Sequence, residues 1–116
     1  MLDTSPLTAA VERFADRLRA APQSRLTRGA AAEALELARE LAVRAQRLED
    51  PSGAAPAREV PDEGIFLVGD QVAVTGLDLA EALRGAPAAG NDAKAPSEVL
   101  DEAVALVERA EVRAMR

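Results

Sequence analysis

Three groups of side chains in this 116-residue sequence have types and spacings that bear on chemistry. The first is acidic. Glu33-x-x-Glu36 and Glu98-x-x-Asp101-Glu102 place carboxylates at helical spacing, the hard oxygen ligands that a Mg²⁺- or Mn²⁺-dependent carboxylate–metal hydrolase uses. Such a site needs its acids to point into a bundle or cleft. Here Glu36 and Glu40 fall opposite the Leu seam of their segment, and Asp101 and Glu102 fall across the wheel from Val107, so a solvated acidic face accounts for them and no metal ligand is assigned. The second group is hydroxylic: Ser5, Ser24, Ser52, Ser97 and the threonines. Ser5, Ser24 and Ser97 stand where helix caps or first-turn residues belong. With no His, no Cys and Lys94 as the only lysine, none of them has an activating base. The third is Glu111, within about 40° of Val107 on the wheel and so inside an apolar arc. It is expected to pair with an arginine or to touch another chain, unless it simply lies in a frayed C-terminal turn, the plainer account and the one favoured.

Counting removes further chemistry. Zinc fingers, iron–sulfur clusters, thiol nucleophiles and His-based triads need residues the chain lacks. Neither a GxxxxGK[ST] nor a GxGxxG string occurs, so Gly69-Asp70 reads as a turn rather than a phosphate cradle. The expectation is a protein without catalytic residues and without a cofactor.

The elements that carry these residues are mostly helical. Ser5-Pro6 starts a helix that Pro22 ends, with Leu7, Val11, Phe14 and Leu18 within about 60° of one another. A second, Ala-rich helix starts near Ser24 or Thr27 and runs to about Glu49, where Asp50-Pro51-Ser52-Gly53 stops it. Leu26, Leu37, Leu41 and Leu48 form its seam, and Leu35 helps widen the apolar face to roughly half the circumference. The short connection between the two helices predicts an antiparallel αα-hairpin. Residues 50–64, with three prolines and two glycines, read as a linker or loose loop. Ile65–Val68 and Gln71–Thr75 flank Gly69-Asp70 as the arms of a tight β-hairpin, with Leu67 opposite Val72 and Ile65 opposite Val74. A short helix over 78–84, capped by Asp78 and Glu81, a small-residue loop over 85–95 and a final helix opened by Pro96 complete the chain. The fold class is therefore mainly α with one β-hairpin: the αα-hairpin (1–49) and the C-terminal helix form a small bundle, and the 65–116 portion packs the β-hairpin on it or extends it, all as one domain.

Composition sets the partners. The 27 alanines make the 48% hydrophobic content thinner than it looks. Two half-apolar helices and a ribbon apolar on both faces then exceed what so small an interior hides. Residues 1–58 carry 9 basic and 8 acidic groups, whereas residues 59–116 carry 5 and 12, giving +1 and −7 and together the net −6. That acidic half disfavours nucleic acid and anionic membrane. No run is apolar enough to span a bilayer, the N-terminus does not read as a signal peptide, and the absence of cysteine fits a cytoplasmic setting. Thirteen arginines against one lysine suggest a GC-rich, bacterial coding bias. The function expected is protein–protein interaction: an accessory, adaptor or regulatory subunit that forms a homodimer or binds a hetero-partner. The expected contact residues are Leu35, Leu37, Leu41, Leu48, Ile65, Leu67, Val72, Val74, Leu106 and Glu111. An antitoxin-like or transcription-associated regulator is the alternative, with the acidic half contacting a basic partner and the Arg17–Arg28 region touching nucleic acid; a winged helix with the hairpin as wing ranks below the interaction module, because Asp70 at its tip stands where a phosphate contact needs a base. The carboxylate–metal hydrolase stands third.

Overall fold

The computed structural model describes residues 2–87 and 94–116. Four long helices, α1 (Ser5–Ala20), α3 (Ala31–Glu49), α4 (Val68–Gly85) and α5 (Pro96–Ala114), form a bundle. A single turn, α2 (Gln23–Arg25), and a wide π-type turn, Leu26–Ala30, lead into α3. Helix α1 starts where the Thr4 carbonyl accepts from the amides of Leu7 (3.0 Å) and Thr8 (3.1 Å), and it ends at the extended Ala21 before Pro22. Pro96 opens α5 in the same manner as Pro6 opens α1, with fixed φ and no amide to leave unbonded.

The expected β-hairpin does not exist, and with it goes the wing of a winged helix. Among the described residues there is no strand. One 18-residue helix, α4, runs straight through Gly69-Asp70 and absorbs the short helix expected over 78–84. The reason is the period of its buried side chains. Val68, Val72, Thr75, Leu79 and Leu83 recur every three or four residues and lie inside, whereas Val74, on the strand face that Val72 was expected to share, lies outside. Gly69 and Gly76 serve close helix contact rather than a turn: a Cβ at Gly76 would sit 2.5 Å from a Val11 methyl carbon. Asp78 and Glu81 are consequently exposed mid-helix residues, not a cap. The loop expected over 85–95 lies for the most part, residues 88–93, outside the described residues.

The αα-hairpin is corrected as well. Helix α1 packs against α4 and α5, and so does α3, so that α1 and α3 face one another across the bundle instead of lying side by side. Helix α4 is the common partner. It runs antiparallel to α1, as Arg19–Asp70 at one end and Arg84–Thr4 at the other show, and parallel to α3. A parallel neighbour requires a long return, and residues 50–64 supply it as a strap along α3. Side chains on the helices hold that strap: the Gln46 amide donates to Pro56 O (2.7 Å) and accepts from Arg58 N (2.8 Å), and Arg39 Nε donates to Val60 O (2.9 Å). At its start the Asp50 carboxylate accepts from Ser52 Oγ (2.6 Å) and Ala55 N (2.8 Å), which hold that carboxyl below its usual range.

The core is built on Leu7, Val11, Phe14, Leu18, Leu41, Val72, Leu79, Leu83 and Val107, all essentially without solvent contact. Ala34, Ala38, Ala45, Ala80 and Ala103 fill the positions between, and their small size lets the helices approach. No helix of the described residues is long and apolar enough to cross a membrane.

Helix α5 is tied to α3 by a chain of charges. Lys94 Nζ and Arg44 Nη1 both bind Glu102, at 2.6 and 3.0 Å, and Arg44 Nε also binds Glu40 (3.1 Å). The Lys94 hydrogen bond, and after it that of Arg44, holds the Glu102 carboxyl below its ordinary value of 4.5. A carboxyl so lowered contributes stability that is present above the unfolded value and is lost as pH falls through the folded one. Thermal unfolding is therefore expected to be flat from neutral pH down to about 5 and to weaken below that. Glu102→Gln should flatten the acid limb of the Tm profile. An acid limb identical in the variant would show that these contacts do not contribute.

Candidate functional site

Helix α4 buries one stripe so completely that its opposite face is left to carry whatever remains. Large apolar side chains stand exposed there, on α4 and in the turn just before it, among the acids Asp70, Asp78 and Glu81. Phe66 is 70% exposed, Val74 58%, Leu77 45% and Leu67 41%. The chain has two phenylalanines: Phe14 lies at the centre of the core, and Phe66 is the most exposed large apolar residue described. Isolated apolar residues on a surface need no explanation, but several gathered at the start and outer side of one helix, beside a groove, do.

The groove lies between the strap and α4. Its volume is about 290 Å³, and Val60, Pro61, Leu67, Val74 and Thr75 give it an apolar lining. Gln71 lines it. The Gln71 side-chain amide donates to Pro61 O (2.7 Å), which pins the strap to α4, while its Oε1 is buried with no donor in reach. An acceptor left bare in this way costs on the order of 1–3 kcal/mol. The Thr75 hydroxyl cannot serve, because it donates to the Gln71 backbone carbonyl (2.8 Å). Charge frames the groove with one sign: Glu59, Glu63 and Asp70 line it, and residues 59–83 contain six acidic residues and no basic one. Asp70 alone of the three is paired, to Arg19 at 2.7 Å.

The residues expected to make contacts do not form one surface. Leu67 and Val74 lie together on the outer face of α4. Leu37, Leu41 and Val72 are inside the protein's own core. Leu35 and Ile65 line a second cleft where α4 starts beside Leu26 and Val68, Leu106 lies with Leu37 between α3 and α5, and Leu48 is half-buried toward the end of α3. Glu111 is buried and takes Arg13 Nε (3.2 Å) and Arg17 Nη1 (3.1 Å), so the structure displays the arginine partner rather than the favoured frayed turn. Phe66, Leu77, Val60 and Pro61 were missing from the expected set. Phe66 and Leu67 lie in the turn before α4, and on a wheel of α4 Asp70 and Glu81 fall in the same arc as Val74 and Leu77, so no apolar stripe marks this side in the sequence.

Two of the five acids with metal-binding spacing are engaged elsewhere. Glu33 binds Arg113, and Glu102 binds Lys94 and Arg44. Among the described residues no three potential ligands come together. No protein-family model, no curated protein and no solved structure matches this chain.

Proposed function

We propose that this chain is a non-catalytic protein-interaction module, an accessory or regulatory subunit, and that the outer face of α4 docks a basic, amphipathic segment of a partner protein. The observation that carries the reading is the coincidence, at the start and outer side of α4, of exposed apolar side chains with a groove whose charged lining is acidic alone. Apolar anchors of the partner would fill the groove beside Leu67 and Val74, and its Lys and Arg side chains would meet Glu59, Glu63, Asp78 and Glu81. A second copy of this chain fits poorly, because a two-fold contact through this face would set those acids against themselves. A cytoplasmic setting accords with a sequence free of cysteine.

The test uses a fluorescent Leu/Lys peptide patterned as a basic amphipathic helix, followed by anisotropy, against Val74→Ser/Leu77→Gln. The substitutions leave the charge unchanged, so they isolate the apolar contribution. We expect the wild type to bind and the variant to lose about tenfold in affinity, with binding weakened by salt in both. Equal affinity for the two would reduce the interaction to charge alone and overturn the docking face. Sedimentation that shows a wild-type dimer dissolved by the same substitutions would replace the hetero-partner by a second copy.

A further inference from the structure

At the end of the bundle where α1 and α5 finish and α3 begins, Arg25, Arg28, Arg113 and Arg116 line a cleft of about 220 Å³. We propose that this cleft binds the phosphoryl groups of a small phosphorylated molecule, with a diphosphate as the minimal ligand. Four arginines from two stretches of chain, 25–28 and 113–116, line it, and among the described residues Glu33, bound to Arg113 Nε at 3.1 Å, is the one acidic side chain paired with any of them. Arg25 Nη1 donates to Arg116 O (2.9 Å). Arg28 has only a long bond to Ser24 O (3.4 Å), so most of its donors remain free.

The bland account of such a cluster is that arginines favour helix C-termini. It covers Arg113 and Arg116 at the end of α5. It does not cover Arg25 and Arg28, which precede α3, where the helix dipole repels cations. Gathering like charges at that end raises the energy of the empty protein, and an anion removes the cost. The backbone is also shaped there. Gly29 adopts φ 154, ψ −19 inside the Leu26–Ala30 turn, a conformation closed to residues with a Cβ, and it lines the cleft. Planar guanidinium forks bind phosphate two bonds at a time, so four of them suit a diphosphate better than a monovalent anion. A nucleic-acid strand is disfavoured, because the protein carries −6 overall and has no exposed Tyr or Trp to stack on bases.

The experiment is thermal unfolding and calorimetric titration with inorganic pyrophosphate, against sodium chloride at matched ionic strength, on the wild type, Arg28→Gln and Arg116→Gln. Millimolar pyrophosphate should raise the wild-type Tm by about 3 °C or more. Each variant should lose about tenfold in pyrophosphate affinity, and Arg28→Gln should be no less stable than wild type when no anion is present. A pyrophosphate response equal to that of chloride, or one unchanged in both variants, would overturn the proposal. So would an oligothymidylate that binds more tightly than pyrophosphate through the same arginines, since the cleft would then belong to a nucleic-acid surface.

Discussion

Gly76→Ala is expected to destabilise the protein by about 2 kcal/mol, a fall in Tm of roughly 10 °C, although alanine is the better helix former. The added methyl would stand 2.5 and 2.6 Å from the two methyl carbons of Val11, which has no solvent contact and, being β-branched, one favoured rotamer in a helix. Overpacking of this kind costs about 3 kcal/mol at its upper range, against a gain of about 1 kcal/mol in helix propensity. Chemical denaturation with Val11→Ala alone, Gly76→Ala alone and the two combined decides it. The pair should be more stable than the sum of the single losses by about 1 kcal/mol or more, because removal of the Val11 methyls makes room for the new one. Gly69→Ala is the internal comparison. Its Cβ would lie 3.1 Å from Ala15 O and from Arg19 Cγ, and the latter belongs to a flexible side chain, so the loss should be clearly smaller than at Gly76. If both glycines tolerate alanine equally, α1 and α4 do not pack at the separation described.

The second large effect is asymmetric. Removal of both arginines that hold Glu111, in Arg13→Ala/Arg17→Ala, is expected to cost about 2–3 kcal/mol at neutral pH, whereas Glu111→Met should change stability by less than about 1 kcal/mol. The physical reason is exposure. The Glu111 side chain is 8% exposed and the two arginines are about half exposed (52% and 51%), so a lone arginine regains water while a lone carboxylate stays buried without partners. Methionine fills a similar volume among the α1–α5 contacts and needs no counter-charge. Urea unfolding of the two variants at pH 7 tests the ordering. A larger loss from Glu111→Met than from the double arginine variant would mean that the ion triad is a net source of stability and not a compensated burial.

The misreading of α4 shows where sequence periodicity loses its grip. Over Ile65–Thr75 a β-branched, apolar run interrupted by Gly-Asp satisfies the rules for a two-residue hairpin, and eleven residues are too few to separate a period of 2 from one of 3.6. Extended to Leu83, the stripe Val68, Val72, Thr75, Leu79, Leu83 is unambiguous. The two glycines resemble a turn because their role is a contact between helices: each is small for the sake of a helix elsewhere in the sequence, α1, and no local rule detects that. With α4 in the centre, Leu37, Leu41 and Val72 are covered from within, and the large apolar side chains left exposed are Phe66 and Leu67 before α4, Val74 and Leu77 on it and Val112 on α5.

What the sequence determined unaided is what depends on near neighbours along the chain. Ser5, Pro22, Asp50 and Pro96 bracket α1, the α2-to-α3 run and α5 to within a residue or two, and the helical period selects Leu7, Val11, Phe14 and Leu18 as core. It also separated charge, leaving residues 59–116 at −7. The tertiary structure alone decided that α1 and α3 are held apart by α4 and α5, that residues 50–64 form a bonded strap, and that arginines from positions 25, 28, 113 and 116 share one cleft. These depend on which helix lies beside which. That choice is made by the fit of Gly76 beneath Val11 and of alanines between leucines, across separations that no local pattern records.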